Sequence, residues 1–338
     1  MRRADTLKMN KVLVTGVAGF IGAKVAETLL RQGISVIGVD DLNGYYDVRL
    51  KEFRLNGLGS LGGFSFKKIN ILDRNALSRV FRHDRFVAVL NLAAQAGVVC
   101  SVGNPYAYLA ANTLGTLNLL ELSKEQGVQK FILSSSSSVY TGHSGPFSED
   151  LAANTPYSPY AASKKAAEAF CHSYQHLYGM DVVIARYFTA YGPAGRPDMA
   201  PFKFIQRIQQ GRPITIYGNG IQTRDFTYVD DIAEGTVSAL KLKGYHIVNF
   251  GSDHPVRLID FIRRIELYVK KKAIIKKVAP IKADAKDTWA DISKAKRLLG
   301  WSPKVDLDEG LRRTVAWYLE NQKWASKIKL GYNASALS

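Results

Sequence analysis

Short apolar runs alternate along this chain with longer segments whose apolar residues return every three to four positions. Residues 12–14 are uniformly apolar, as a strand buried on both faces requires, whereas 23–30 repeat with helical period. The alternation continues, with strands predicted at 34–39, 64–71, 87–92, 131–134 and 182–188, a long helix at 106–126 and another around Tyr160. Strands that alternate with helices predict an α/β fold, a doubly wound parallel sheet with helices on its faces. After Tyr187 the punctuation changes. Tyr191-Gly192-Pro193, Gly195-Arg196-Pro197 and Gly218-Asn219-Gly220 mark loop-rich chain, where a smaller C-terminal α/β domain is expected to bind substrate. The expected division is 9–188 for the first domain and mainly 189–338 for the second, with 225–252 packing back onto the first. There is no internal repeat, and the only low-complexity tract is a serine run at 134–138.

Between the first strand and the first helix stands Gly16-Val17-Ala18-Gly19-Phe20-Ile21-Gly22. Gly16 permits a tight turn, Gly19 lets backbone approach a pyrophosphate, and Gly22 lets helix and strand pack closely. The helix N-terminus then offers its free N–H groups to phosphate. The spacing is G-x-x-G-x-x-G rather than the commoner G-x-G-x-x-G. The next predicted strand ends in Asp40, placed to accept hydrogen bonds from an adenosine ribose and to repel a 2′-phosphate, which favours NAD over NADP. The competing role for Asp40 is a turn residue. Asp73, just past a strand end, is placed either to meet the adenine edge or to cap the helix that follows. Leu92-Ala93-Ala94 ends a strand with small residues, as backbone packed against a cofactor needs.

Tyr160 and Lys164 lie one turn apart on one helical face. An ammonium beside a phenol favours the phenolate, so the tyrosine's pKa is expected to fall towards neutrality, where it can take a proton from a substrate hydroxyl. Alone the pair is a weak motif; downstream of a nucleotide loop it gains weight. The five serines at 134–138 close a buried strand, and their hydroxyls need partners, either a polar ligand or local backbone.

At 338 residues and 46% hydrophobic, the chain can bury a sizeable core. No apolar run approaches the ~20 residues of a membrane span. The first eight residues read as a loose leader without a secretory h-region. Cys100 and Cys171 show no metal-ligand spacing, and so sparse a cysteine content fits a reducing cytoplasm. Forty-six basic against 29 acidic side chains give a net charge of +17, yet the basic residues are scattered and no nucleic-acid-binding signature occurs. A field that steers anionic ligands and a merely solvated basic face explain the excess equally well.

Four motifs together carry a resemblance: residues 15–22, Asn91-Leu92-Ala93-Ala94, the run 134–140 with Tyr160 to Lys164, and Arg224-Asp225-Phe226-Thr227-Tyr228-Val229-Asp230-Asp231. From residue 9 to the predicted helix at 307–318 the chain resembles an extended short-chain dehydrogenase/reductase with a Rossmann-like domain, and within that group the nucleotide-sugar 4-epimerases. Asp41-Leu42-Asn43-Gly44-Tyr45-Tyr46-Asp47 and residues 191–200 resemble UDP-glucuronate 4-epimerases more closely. The resemblance implies NAD held by Gly16, Gly19, Phe20, Ile21, Gly22, Asp40, Asn43, Asp73, Leu92, Ala93, Ala94, Tyr160, Lys164 and Tyr187. It implies Tyr160 as acid/base, Lys164 on the nicotinamide ribose and Ser136 on the reacting hydroxyl. Arg224 would clasp the UDP pyrophosphate, while Ser137, Ser138, Thr189 and Arg196 would face the sugar's C6 end. It also implies a homodimer in which Ala161, Ala162, Ala166, Ala167 and Ala169 let the Tyr160 helix approach its copy.

The chemistry so implied is oxidation of C4 to a ketone and return of the hydride to the other face. Related 4,6-dehydratases carry an Asp-Glu pair, and related decarboxylases a glutamate, where this chain has Ser137 and Ser138, so epimerisation is favoured. Two departures stand out: Thr141 replaces the usual glycine after Tyr140, and Ile281-Lys282 replaces a polar UDP contact. The alternatives are a 4-epimerase of neutral UDP-sugars and a catalytically idle NAD-binding protein.

Overall fold

The central strands are buried almost throughout, and successive side chains along each go to opposite faces of the sheet. The computed structural model describes residues 11–280 and 285–331. Its first half runs β1 (Lys11–Thr15), α1 (Phe20–Arg31), β2 (Ser35–Asp40), α2 (Val48–Gly59), β3 (Phe64–Lys68), α3 (Arg74–His83), β4 (Ala88–Asn91), α4 (Val98–Gly103), α5 (Pro105–Tyr108), α6 (Gly115–Glu125), β5 (Lys130–Ser136), α7 (Pro159–Tyr178) and β6 (Asp181–Tyr187). There follow β7 (Thr189–Tyr191), α8 (Ala200–Gln209), β8 (Ile214–Tyr217), β9 (Thr223–Tyr228), α9 (Val229–Ser238), β10 (Tyr245–Phe250), β11 (Pro255–Arg257), α10 (Leu258–Val269), β12 (Ile275–Val278), α11 (Ser293–Leu299) and α12 (Leu307–Glu320).

Seven parallel strands form one sheet in the order β3-β2-β1-β4-β5-β6-β10. Val12, Val14, Ile132, Val183 and Ala185 pack on one face, Leu13, Phe131, Leu133, Val182 and Ile184 on the other. Each of these Val, Ile, Leu and Phe side chains, fully buried, contributes about 1.5–3 kcal/mol. The chain winds outward from β1 through β2 to β3, then crosses back to β4, so the strand order reverses between β1 and β4. That reversal opens a crevice at the strands' carboxyl ends, where doubly wound sheets bind ligands. β10, far downstream, pairs with β6, and α9 lies against α1.

A second core joins α8, β8, α10 and α12 through Phe202, Ile205, Ile216, Phe261, Ile265 and Leu311. There Phe226 stacks on Phe261 with ring centroids 3.9 Å apart. β12 pairs in parallel with β8, Ile275 opposite Ile214. Among the described residues no helix is long and apolar enough to cross a membrane.

Two elements depart from the sequence pattern. The strand expected at 64–71 stops at Lys68, because Asn70 turns the chain by accepting the Leu72 N–H at 2.9 Å. The helix expected at 106–126 is interrupted by a π-helical segment, Leu109–Leu114, between α5 and α6. That widened turn holds Asn112, whose side chain accepts from Gln95 N and donates to Gln95 O and Ser163 Oγ at 2.8–3.0 Å. Periodicity does not report a π-turn, since it changes the helical register by only one residue.

Candidate active site

One cavity of about 1200 Å³ follows the crevice from the β1 turn to the α8 region. It is lined by Gly16, Gly19, Phe20, Ile21, Gly22, Asp40, Asn43, Leu92, Ala93, Ala94, Tyr160, Lys164 and Tyr187, and equally by Ser136, Ser137, Ser138, Thr189, Arg196 and Arg224. Asp73 alone of the expected site residues is not among the lining. Its carboxylate caps α3, accepting the Ala76 N–H at 2.9 Å, which leaves the capping role as the one the geometry displays.

The glycine loop is closed to side chains. Gly16 sits at φ +66°, and a Cβ there would lie 2.6 Å from Leu92 O and Ala93 N; a Cβ on Gly22 would lie 2.1 Å from Gly16 O. Backbone therefore faces the cavity, followed at once by the N-terminus of α1, as a diphosphate requires. Asp40 is buried at the end of β2 and accepts from Ala18 N at 3.2 Å and Leu42 N at 2.8 Å. Lys51 on α2, 3.4 Å from Asp40 and 3.3 Å from Asn43 Oδ1, completes this corner. No sequence signal singles out Lys51, because the lysine becomes special only when α2 folds over β2.

Lys164 and Tyr160 do not have the expected relation. Ser158 caps α7 by accepting the Ala161 N–H, and Pro159 opens the helix, which sets both side chains into the cavity. The Lys164 ammonium donates to Ser134 O at 2.7 Å, and burial pushes its pKa down to about 7, against the attraction of Glu168. Burial likewise raises the Tyr160 phenol, outweighing the hydrogen bond with Ser136 and the charge of Arg196, both of which lower it. The fall of the tyrosine's pKa expected from its lysine is thus corrected: desolvation favours the neutral form of both groups, and the ammonium is turned to a carbonyl.

The serine run divides its labour. Ser134 accepts from Lys164, and Ser135 donates to Glu168 at 2.6 Å. Glu168 is clamped by buried Arg186 at 2.7 and 2.9 Å. Ser136 donates to Ser138 Oγ and accepts the Ser138 N–H, each at 3.1 Å, while its side chain also meets the Tyr160 phenol. Thr141 donates to Ser138 O at 2.9 Å, and the turn glycine stands one place later, at Gly142 with φ +105°. The Ile281-Lys282 departure and the leader at 1–8 lie outside the described residues.

At the far end Arg196 is not a lone cation. Its Nε and Nη2 pair with Asp198 at 3.1 and 2.6 Å, and Nη2 also reaches Ala96 O at 3.4 Å. Tyr45 lies beneath the guanidinium, 5.8 Å from centroid, and donates to Ala96 O at 2.7 Å. Lys203 on α8 lines the same end; burial lowers its pKa while Asp198 raises it. Neither Asp198 nor Lys203 carries a sequence signal of its own. Arg224 on β9 donates to Thr223 O and Lys286 O. Among the described residues no cluster of His, Cys, Asp and Glu could hold a metal ion.

A family model described as GDP-mannose 4,6 dehydratase matches residues 13–314. A UDP-glucuronate 4-epimerase of Thermodesulfobacterium geofontis is 52% identical over 323 residues, spanning 95% of this chain and all of that protein. The solved structure of the Bacillus cereus UDP-glucuronic acid 4-epimerase in complex with UDP-glucuronic acid and NAD is 38% identical, with a TM-score of 0.88 over 92% of this chain and 99% of that one. The Thermotoga maritima UDP-glucose 4-epimerase with UDP-glucose is 32% identical, with a TM-score of 0.84 over 92% and 99%. By fold, site and sequence, this chain belongs to the GDP-mannose 4,6 dehydratase family of extended short-chain dehydrogenases/reductases and is similar within it to the UDP-glucuronate 4-epimerases.

Proposed function

We propose that this protein is an NAD-dependent 4-epimerase that interconverts UDP-glucuronate and UDP-galacturonate. The observation that carries the reading is one cavity that joins a side-chain-free glycine loop and Asp40 to a Ser136–Tyr160 pair and then to a guanidinium at the sugar end. The fit to a dinucleotide rests on the glycine-loop backbone of Gly16, Gly19 and Gly22, which lines the cavity ahead of the α1 N-terminus, and on the Asp40 carboxylate at the cavity wall, whose charge would repel a 2′-phosphate. Bound there, NAD would supply a reversible store for the C4 hydride. Tyr160, steadied by Ser136, holds the proton exchanged with the C4 oxygen, and Lys164 offers its N–H donors to the ribose. Arg224 holds the pyrophosphate as a fixed anchor while the hexose turns. Ser137, Ser138, Thr189 and the Nη1 edge of Arg196, which Asp198 leaves without a hydrogen bond among the described residues, receive the uronate carboxylate. The two buried thiols suit a reducing cytoplasm, and we assign the exposed apolar residues of α4, α5 and α7 to a homodimer contact.

The test is a panel of UDP-sugars with product analysis. Turnover of UDP-glucuronate should exceed that of UDP-glucose by at least ~10²-fold in kcat/KM, with no added NAD and with NAD released on denaturation. Replacing Arg196 with glutamine should lower epimerisation and raise a decarboxylated 4-keto-pentose. Equal turnover of the two sugars, with an Arg196→Gln variant that changes neither rate nor product, would replace this reading by the neutral-sugar one.

A further inference from the structure

Arg54 on α2 is 7% exposed, yet no carboxylate lies within ion-pairing distance of it among the described residues. A buried cation without a counter-charge is costly, and an apolar side chain would fill the same space at lower cost. Its guanidinium is instead spent on two stretches of backbone far apart in sequence. Nε and Nη2 both donate to Ala194 O, at 3.1 and 2.7 Å, while Nη1 donates to Ala18 O at 2.9 Å and to Tyr46 Oη at 2.8 Å. The plane is further held over Phe20 and Tyr46, 5.8 and 5.6 Å from their centroids. Ala18 belongs to the glycine loop. Ala194 belongs to the turn that carries Arg196, and it sits at φ +53°, a conformation alanine keeps only when its surroundings enforce it. The flanking glycines show how tight that turn is: a Cβ on Gly192 would lie 2.8 Å from Val229 and 3.5 Å from the Phe20 ring.

We propose that Arg54 is a positioning residue: by tying the glycine loop to the turn at 193–196, it sets where Arg196 stands relative to the dinucleotide and so fixes the sugar's C6 carboxylate. The inference rests on the uronate reading above. Only a planar fork donates twice to one carbonyl and again to a second, so a lysine cannot replace it. The geometry matters because oxidation at C4 makes the sugar a β-keto acid. If the C5–C6 bond aligns with the ketone, it breaks, CO2 leaves, its electron pair passes to C5 as an enolate, and a proton from water completes a 4-keto-pentose. The C4 hydride then stays on the dinucleotide, which is left reduced.

The experiment compares wild type, Arg54→Lys and Arg54→Ala as purified holoenzymes, with and without guanidinium ion, recording KM, kcat, the ratio of epimer to 4-keto-pentose, reduced cofactor, bound NAD and melting temperature. Because misplacement of about 1 Å can cost ~10²-fold, KM for UDP-glucuronate should rise at least about tenfold in Arg54→Lys. The 4-keto-pentose fraction and the reduced cofactor should rise together, with NAD still bound. Guanidinium should restore the product ratio of Arg54→Ala but not that of Arg54→Lys. Should Arg54→Ala not fold, the Arg54→Lys product ratio decides. Wild type that leaves UDP-glucuronate unchanged refutes the uronate reading. Wild type that epimerises it, with an Arg54→Lys variant of unaltered KM and product ratio, refutes the role of Arg54. So does a lower melting temperature as the only change, which marks a packing role.

Discussion

At Tyr160 and Lys164, one helical turn apart, burial pushes the phenol up and the ammonium down, so both are driven towards their neutral forms. Two consequences are measurable. Tyr160→Phe keeps the ring and its edge-on contact with Tyr108 but removes the proton, and turnover should fall by ~10²–10⁴ with NAD still bound. Near-normal turnover would take Tyr160 out of the reaction. For Lys164 the sign follows from proton counting. Its pKa of about 7 in the folded chain lies below the ordinary 10.5, so the unfolded chain binds more protons between those values and stability rises with pH through that window. The cost of charging the buried amine is fully present below pH 7 and is relieved above it. Wild type should therefore gain melting temperature relative to Lys164→Met as pH climbs from 7 towards 10. A gap that stays constant across that range would show an amine of ordinary pKa.

Elements are joined at this site by buried polar clamps rather than by apolar contact alone. Glu168 on α7 and Arg186 on β6 are 2% and 1% exposed, with Ser135 of β5 on the same carboxylate and the Tyr140 ring 4.7 Å from the guanidinium. Breaking such a pair from one side leaves an uncompensated buried charge. Arg186→Met should cost about 3–5 kcal/mol, and the double variant Glu168→Met with Arg186→Met should cost clearly less. Urea midpoints of the two variants decide this, and a double variant as unstable as the single one would show that packing, not charge, dominates. The same helix corrects an expectation about assembly. Ala161 and Ala167 are buried within the chain itself, so of these five alanines Ala162, Ala166 and Ala169 remain accessible on α7 for the proposed partner copy.

Across the whole molecule, large apolar side chains stay exposed on the helices that precede β5 and on α7: Tyr106 at 80%, Val102 at 62%, Leu109 at 55% and Leu177 at 64%. Burying them in a second copy is the proposed homodimer. Light scattering at micromolar concentration should report a dimer for wild type and a monomer for Leu109→Asp, with unchanged circular dichroism. A wild type that is monomeric throughout that range would count against the assembly. The sheet itself spans the chain, since β10 completes an edge begun some 60 residues earlier by β6. The cavity is lined by residues from Gly16 to Gly331.

How much of this was legible beforehand follows from the range of the forces involved. The strands, the first helices, the glycine loop, Asp40 and the Tyr160–Lys164 pair could be read from the chain because each depends on neighbours a few residues away: alternation, a tight turn, one helical turn. The early end of β3 at Lys68 and the π-turn at 109–114 could not, because the backbone N–H groups of Leu72 and Gln95, donating to the side chains of Asn70 and Asn112, decide them. Tertiary structure alone decided that Lys164 turns to Ser134, that Asp198 occupies one edge of Arg196, that Lys51 meets Asp40 and that Arg54 bridges Ala18 and Ala194. These pairings depend on where whole elements pack, and a guanidinium or an ammonium finds its carbonyl only after the backbone has been brought there. The sequence determined which chemical groups are present and on which local elements; their charge states and partners were set by burial, which no single stretch of sequence encodes.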